Sequence, residues 1–262
     1  MSESVLLSID DAVATVTLNR PDRLNALDLE VANSLRDVML TVERDSAVRV
    51  VVLRGAGKGF MAGGDVQLFY AQLDQDLDRQ MLDMTLAMHD AVIAMHRMPK
   101  PVLASVHGPC AGAGFSIAMA CDMVIAADNA VFTLAYSMIG ASPDGSSSYF
   151  LPRLVGRHKA MELIMLSDRF DTAKAVELGL VNFVVAADEL ESETAKLAGR
   201  LAKGPTLAYA KTKTLINRSL QSGIADQLDA ESQAIAASAN TDDFKEGITA
   251  FAEKRKPEFK GR

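Results

Sequence analysis

Two glycine-rich turns constrain this chain more than any other feature: "GFMAGGDVQLF" at 59–69 and "HGPCAGAGFSIAMACD" at 107–122. Each follows a short apolar run, Val50–Leu53 or Pro101–Val106, and each opens into a helical pattern. A continuous branched run of that length reads as a strand buried on both faces. Small residues at the turns let a ligand approach the backbone closely. The first N–H groups of a helix lack intrahelical acceptors, and the macrodipole adds partial positive charge there. Two such turns brought together would present two aligned N–H donors, which a developing oxyanion needs. A phosphate cradle is the rival reading, but neither turn has the Gly-x4-Gly-Lys-Ser/Thr spacing. The dinucleotide fingerprint fails too, because Ile117 stands where Gly112-x-Gly114 would require glycine or alanine.

The surrounding chain has the make-up of an ordinary globular protein. Its 262 residues are 49% hydrophobic and 23% charged, enough for one large domain or a domain with an extension. No apolar run approaches the length of a bilayer span. The opening MSESVLLSIDD lacks the basic residues of a secretion signal. Two cysteines, Cys110 and Cys121, make neither a disulfide framework nor a metal-ligand cluster. The expectation is a cytoplasmic protein that uses no metal and no membrane. A net charge of -7 argues against nucleic acid as a partner. The segment Phe251–Arg262 is nevertheless basic, with five basic residues and two acids. It reads as a solvated terminal helix or as a contact for a small anionic ligand.

Alternating stretches at Val5–Ile9 and Ala12–Leu18 predict a β-hairpin turning at Asp10-Asp11. A helix is predicted from about Leu29 to Val42, and a long amphipathic one over 75–97. The latter carries Met81, Met84, Met88 and Met95 at helical steps, read as core packing ahead of a pocket wall. Short strands follow at Pro101–Val106, Met123–Ala127 and Val131–Leu134. After Pro152 the chain reads as helices at 157–166, 172–178, 186–203, 206–222 and 225–253, with a break near Asn240. Strand–helix units come first and helices last, so the fold class is α/β with a helical C-terminal extension.

One acid stands apart. In "ASPDGSSSYFLP" (141–152), Asp144 lies between proline and glycine, and on its own residues the segment reads as a tight turn or helix start.

Six stretches in order, "TLNRPDRLNAL", "VVLRGAGKGFMAGGD", "KPVLASVHGPCAGAGFSIAMACD", "GASPDGSSSYFLPRLVG", "AVELGLVNFVV" and "KEGITAFAEKRKPEFKGR", resemble the crotonase superfamily, the enoyl-CoA hydratase/isomerase family. The resemblance covers nearly the whole chain. It implies a ββα spiral core over 1–185 and a helical trimerisation region over 186–262, assembled as a homotrimer or a dimer of trimers. It also implies an acyl-CoA substrate, with coenzyme A entering as part of the substrate and no separate cofactor. By position, the oxyanion donors would be the N–H groups of Gly64 and Ala113, the latter an alanine where the family usually has glycine. Leu24, Ala26 and Ala62 match segments that line coenzyme A, and Phe251 and Lys254 match C-terminal positions that contact it, often from a neighbouring subunit.

The departures from the family pattern narrow the reaction. Family hydratases place two glutamates where this chain has Ser116 and Tyr136, and hydration needs groups that activate water and manage the C2 proton. Asp144 matches the single aspartate of several family isomerases and of the family's dehalogenases. A one-base isomerase is therefore the favoured reading, with Asp144 taking a proton at C2 and returning it at C4. His89 matches the general base of the dehalogenases, which also carry a tryptophan at the position of Tyr136; this chain has none. An aryl-CoA dehalogenase, a hydratase and a non-catalytic acyl-CoA-binding protein are the alternatives. A serine hydrolase built on Ser116 or Ser146–Ser148 with His107 lacks a nucleophile elbow.

Overall fold

A computed structural model describes residues 4–262; the first three residues of the 1–185 span lie outside them. The N-terminal hairpin pairs β1 (Val5–Asp10) with β2 (Val13–Leu18), Val5 opposite Leu18 and Asp10 opposite Val13. Its two loop residues are Asp11 and Ala12, both at positive φ, one residue later than the expected Asp10-Asp11. Positive φ at both positions is what a type I′ turn requires. The helix α1 (Leu29–Arg44) begins at Asp28, whose side chain accepts from the Val31 N–H, and leads into β3 (Val50–Gly55). Then come α2 (Val66–Ala71), the methionine-bearing α3 (Leu77–Arg97) and β4 (Val102–Val106). A short strand β5 (Pro109–Ala111), α4 (Ala113–Ala120) and β6 (Met123–Ala127) complete the second glycine-turn unit.

The strands β7 (Val131–Thr133), β8 (Phe170–Asp171) and β9 (Phe183–Val185) are interleaved with α5 (Ser147–Val155), α6 (Arg157–Leu166) and α7 (Thr172–Glu177). Four helices end the chain: α8 (Leu190–Ala202), α9 (Thr206–Ser219), α10 (Ile224–Ala239) and α11 (Asp242–Glu253). Sheet order is β1-β2-β3-β4-β6-β9, parallel apart from the hairpin; β5-β7-β8 form a second, smaller sheet.

Alternation along β3 divides the core in two. Val51 and Leu53 join the large cluster with α1, α3 and α4, while Val50 and Val52 pack with Leu103 and Ile125 against Leu190, Ala198 and Ala202 of α8. The large sheet is thus covered on both faces, as its continuous apolar strands demand. The chain end folds back onto α11: Asp243 accepts from the N–H groups of Lys260 and Gly261, and Arg49 donates to Thr206 and to the carbonyls of Phe259 and Gly204. No helix among the described residues is long and apolar enough to cross a membrane.

Candidate active site

The first turn is shaped by an irregular segment beside it. Ala62 N–H donates to the Leu24 carbonyl at 3.0 Å, Leu27 N–H to that of Gly63 at 2.7 Å, and Asp65 N–H to that of Leu27 at 2.8 Å. This is a short parallel bridge, which uses alternate residues and leaves the Gly64 N–H without an acceptor among the described residues. Asn25 holds the segment in place. Its buried amide donates to the carbonyls of Ala56, Gly59 and Phe60, and its Oδ1 accepts from the Arg20 N–H.

The second turn comes up against the first. Gly63 (φ +101°) and Gly112 (φ +49°) each precede a donor; a Cβ on Gly112 would stand 3.3 Å from the Gly63 Cα. Positive φ and close backbone approach both require glycine here. Ala113 opens α4, and its N–H likewise has no acceptor among the described residues. The helix start is pressed onto Met61, whose N–H donates to Pro109 and whose carbonyl accepts from Ala111.

Gly64 and Ala113 both line one cavity of about 890 Å³. Its wall is mainly apolar, with Leu27, Val66, Phe69, Leu134 and Ile139 among the lining residues. Met81, Met84 and Met88 line it as well, so the methionine stripe is core and pocket wall at once. Asp144 is the only carboxylate on the lining among the described residues. It sits in a turn closed by Ser147 N–H donating to the Asp144 carbonyl at 3.2 Å, with Gly145 (φ +62°) and Ser146 (φ +78°) as central residues. His89, on α3 but not on the lining, places Nε2 2.7 Å from Asp144 Oδ1. The histidine therefore occupies one carboxylate oxygen, and its own ring is 42% exposed.

Ser116 and Tyr136 meet each other. Their hydroxyls lie 2.9 Å apart, and the Tyr136 hydroxyl donates to the Asp144 carbonyl at 3.1 Å. Burial pushes the Tyr136 phenol up to about 12; the Ser116 hydrogen bond opposes this and the nearby Asp144 charge adds to it. A phenol held protonated is a hydrogen-bond donor rather than a base.

Of the positions expected to line coenzyme A, Leu24 and Ala62 border the cavity, whereas Ala26 is buried off it. Phe251 is 88% exposed, and neither it nor Lys254 reaches the cavity within this chain. The basic tail is not helical beyond Glu253, and part of its charge is used internally: Arg255 pairs with Glu246 and Glu253, and Arg262 with Asp242. No serine–histidine pair forms from the residues considered for a hydrolase, since His107 bonds the Gly57 carbonyl and Ser116 that of Gly112. Arg169, on the lining, was not legible from its loop, Ser167-Asp168-Arg169, which carries no periodic or spacing signal.

The sequence profile of the enoyl-CoA hydratase/isomerase family matches residues 8–262. A protein named 1,2-epoxyphenylacetyl-CoA isomerase from Escherichia coli is 35% identical, with all of both chains covered. One named crotonyl-CoA hydratase from Syntrophomonas wolfei is also 35% identical, over 98% of each chain. A crystal structure described as an enoyl-CoA hydratase from Polaromonas superposes with a TM-score of 0.92 at 35% identity, covering 98% of this chain and 99% of the other. With two glycine turns, their two free N–H groups and a match along the length of the chain, this protein belongs to the enoyl-CoA hydratase/isomerase family, the crotonase superfamily.

Proposed function

We propose that the protein is an acyl-CoA isomerase that shifts a carbon–carbon double bond through a thioester dienolate, with Asp144 as acid and base. The observation that carries this reading is that Asp144 lies on the wall of the same cavity that Gly64 and Ala113 line. Asp144 takes a proton from C2 of a 3-enoyl thioester. The C–H electron pair becomes the C1–C2 double bond, and the carbonyl π pair moves onto oxygen, toward the two N–H groups. Return of the proton to C4 converts the C3–C4 double bond into C2–C3 and restores the carbonyl. Loss of one such donor costs about 10²–10³ in kcat in oxyanion-stabilising enzymes. The Ser116–Tyr136 pair supports isomerisation over hydration, because neither group carries a carboxylate to activate water.

The His89–Asp144 hydrogen bond favours a second reading, in which Asp144 attacks an aryl-CoA ring carbon bearing halide and His89 activates water against the resulting ester. Turnover of 3-enoyl-CoA, 2-enoyl-CoA and 4-chlorobenzoyl-CoA by wild type and Asp144→Ala tests both. Isomerisation lost in Asp144→Ala with CoA-ester binding kept is the expected result. Chloride release by the wild type would transfer the assignment to the second reading, and hydration would overturn the one-base scheme. Tight binding without any turnover would leave the family's binding cleft in a protein that does none of the three reactions.

A further inference from the structure

Two peptide groups in the cavity wall, Gly112–Ala113 and Asp144–Gly145, are joined by two side-chain hydroxyls. The Gly112 carbonyl accepts from the Ser116 N–H at 3.0 Å and lies 3.1 Å from the Ser116 hydroxyl. That hydroxyl is 2.9 Å from the Tyr136 hydroxyl, which reaches the Asp144 carbonyl at 3.1 Å. The Asp144 carbonyl also accepts from the Ser147 hydroxyl at 2.9 Å and the Ser147 N–H at 3.2 Å.

Two hydroxyl protons serve these three contacts. The carbonyls of Gly112 and Asp144 can only accept, so Ser116 donates to the first and Tyr136 to the second, and one of the two hydroxyls shares its proton with the other. The peptide unit is planar, so the Gly112 carbonyl and the Ala113 N–H move together. Anchoring the carbonyl therefore aims the N–H. At the other end, the three donors on the Asp144 carbonyl fix the backbone from which its carboxylate projects.

We propose that Ser116 and Tyr136 are positioning residues that hold the Ala113 donor and the Asp144 carboxylate in fixed relation, so that their loss lowers kcat and leaves KM unchanged. The inference rests on the reading of Asp144 as the base. It assigns a purpose to the two positions at which this chain departs from the family's hydratases. Ser116 is fully buried, whereas Tyr136 borders the cavity with its hydroxyl engaged by Ser116 and the Asp144 carbonyl.

The test measures kcat, KM and Tm for Tyr136→Phe, Ser116→Ala and the double variant on 3-enoyl-CoA. It also measures binding of acetoacetyl-CoA, whose enolate absorbs in the near ultraviolet, to Asp144→Ala with and without Ser116→Ala. Each single variant should lose about tenfold in kcat, the scale of one hydrogen bond, with KM within twofold and Tm nearly unmoved. The double variant should be little worse than either single one, as expected for members of one network. Ser116→Ala should weaken the enolate signal even without the base. A Tyr136→Phe enzyme within twofold of wild-type kcat would overturn the proposal, as would KM and Tm moving in step with kcat. If Asp144→Ala still isomerises, the base assignment fails on its own. The enolate signal then decides the positioning role, and an unchanged signal refutes it.

Discussion

At residue scale, neighbouring positions at the start of α4 separate packing from chemistry. A methyl group on Gly114 would fall 2.4 Å from the Met61 carbonyl oxygen, a backbone atom that cannot give way cheaply. Ala113, one residue earlier, already carries its methyl, and its contribution is a single N–H. Proline is tolerated at the first position of a helix, where it breaks no intrahelical hydrogen bond and puts its ring Cδ in place of the N–H hydrogen. Ala113→Pro should therefore lower kcat by about 10²-fold with little change in Tm, read by steady-state kinetics and a melting curve. Gly64, Ala113 and Asp144 were singled out in the sequence by their positions in stretches that resemble a family, since Asp144 on its own residues reads as a turn and Ala113 stands where the family usually has glycine. The Ser116–Tyr136 hydrogen bond was not, because twenty residues separate the partners and the hydroxyls carry no spacing signal. His96, near the end of α3, is half-buried, its ring set against Tyr149 and Phe150.

At element scale, a single ammonium helps fasten α9 to the core. Lys213 Nζ donates to the Met95 carbonyl at the end of α3, to the Lys100 carbonyl before β4, and to Asp122 Oδ2 at 2.7 Å. Burial holds the Asp122 carboxyl above its usual range, and Lys213 opposes that rise. Lys213→Met would leave the carboxylate without its cation, at a cost of about 3 kcal/mol at neutral pH. The sign follows from linkage. With Lys213 gone, the folded-state pKa of Asp122 climbs further, so stability falls as pH rises from the unfolded value through the folded one. The variant's deficit should shrink on acidification, which denaturant titrations at pH 7 and pH 4.5 will show.

The elements most legible in the sequence were those with length and period: α1, α3, β3 and the break between α10 and α11. The strands β5 and β8 span three and two residues, too short to show alternation, and they exist because the second sheet assembles them. The helix α5 was hidden by Pro152 inside it and by the serine-rich turn before it.

At the scale of the whole molecule, the C-terminal helices leave apolar surface uncovered. No residue of α10 is buried within the chain, and Ile224, Leu228 and Ile235 on it are exposed, as are Ile216 and Leu220 on and just after α9. We expect residues 186–262 to assemble copies of the chain into trimers or hexamers, bringing Phe251 and Lys254 to a neighbour's cleft. Sedimentation should report such an oligomer at micromolar concentration, and Leu228→Glu should shift it toward monomer. A monomeric wild type would refute this role for the helices. Of the fold as a whole, the order of strand–helix units was readable from one chain, whereas the pairing of β9 beside β6 and the second sheet depend on contacts across long sequence separations.

A cavity with Asp144 as the carboxylate on one wall has a stereochemical consequence. The acyl chain presents two faces, and under the one-base scheme only the face toward Asp144 exchanges protons. Abstraction at C2 and delivery at C4 must then be suprafacial. The enzyme would distinguish the two prochiral hydrogens of the C2 methylene although no stereocentre is made or destroyed.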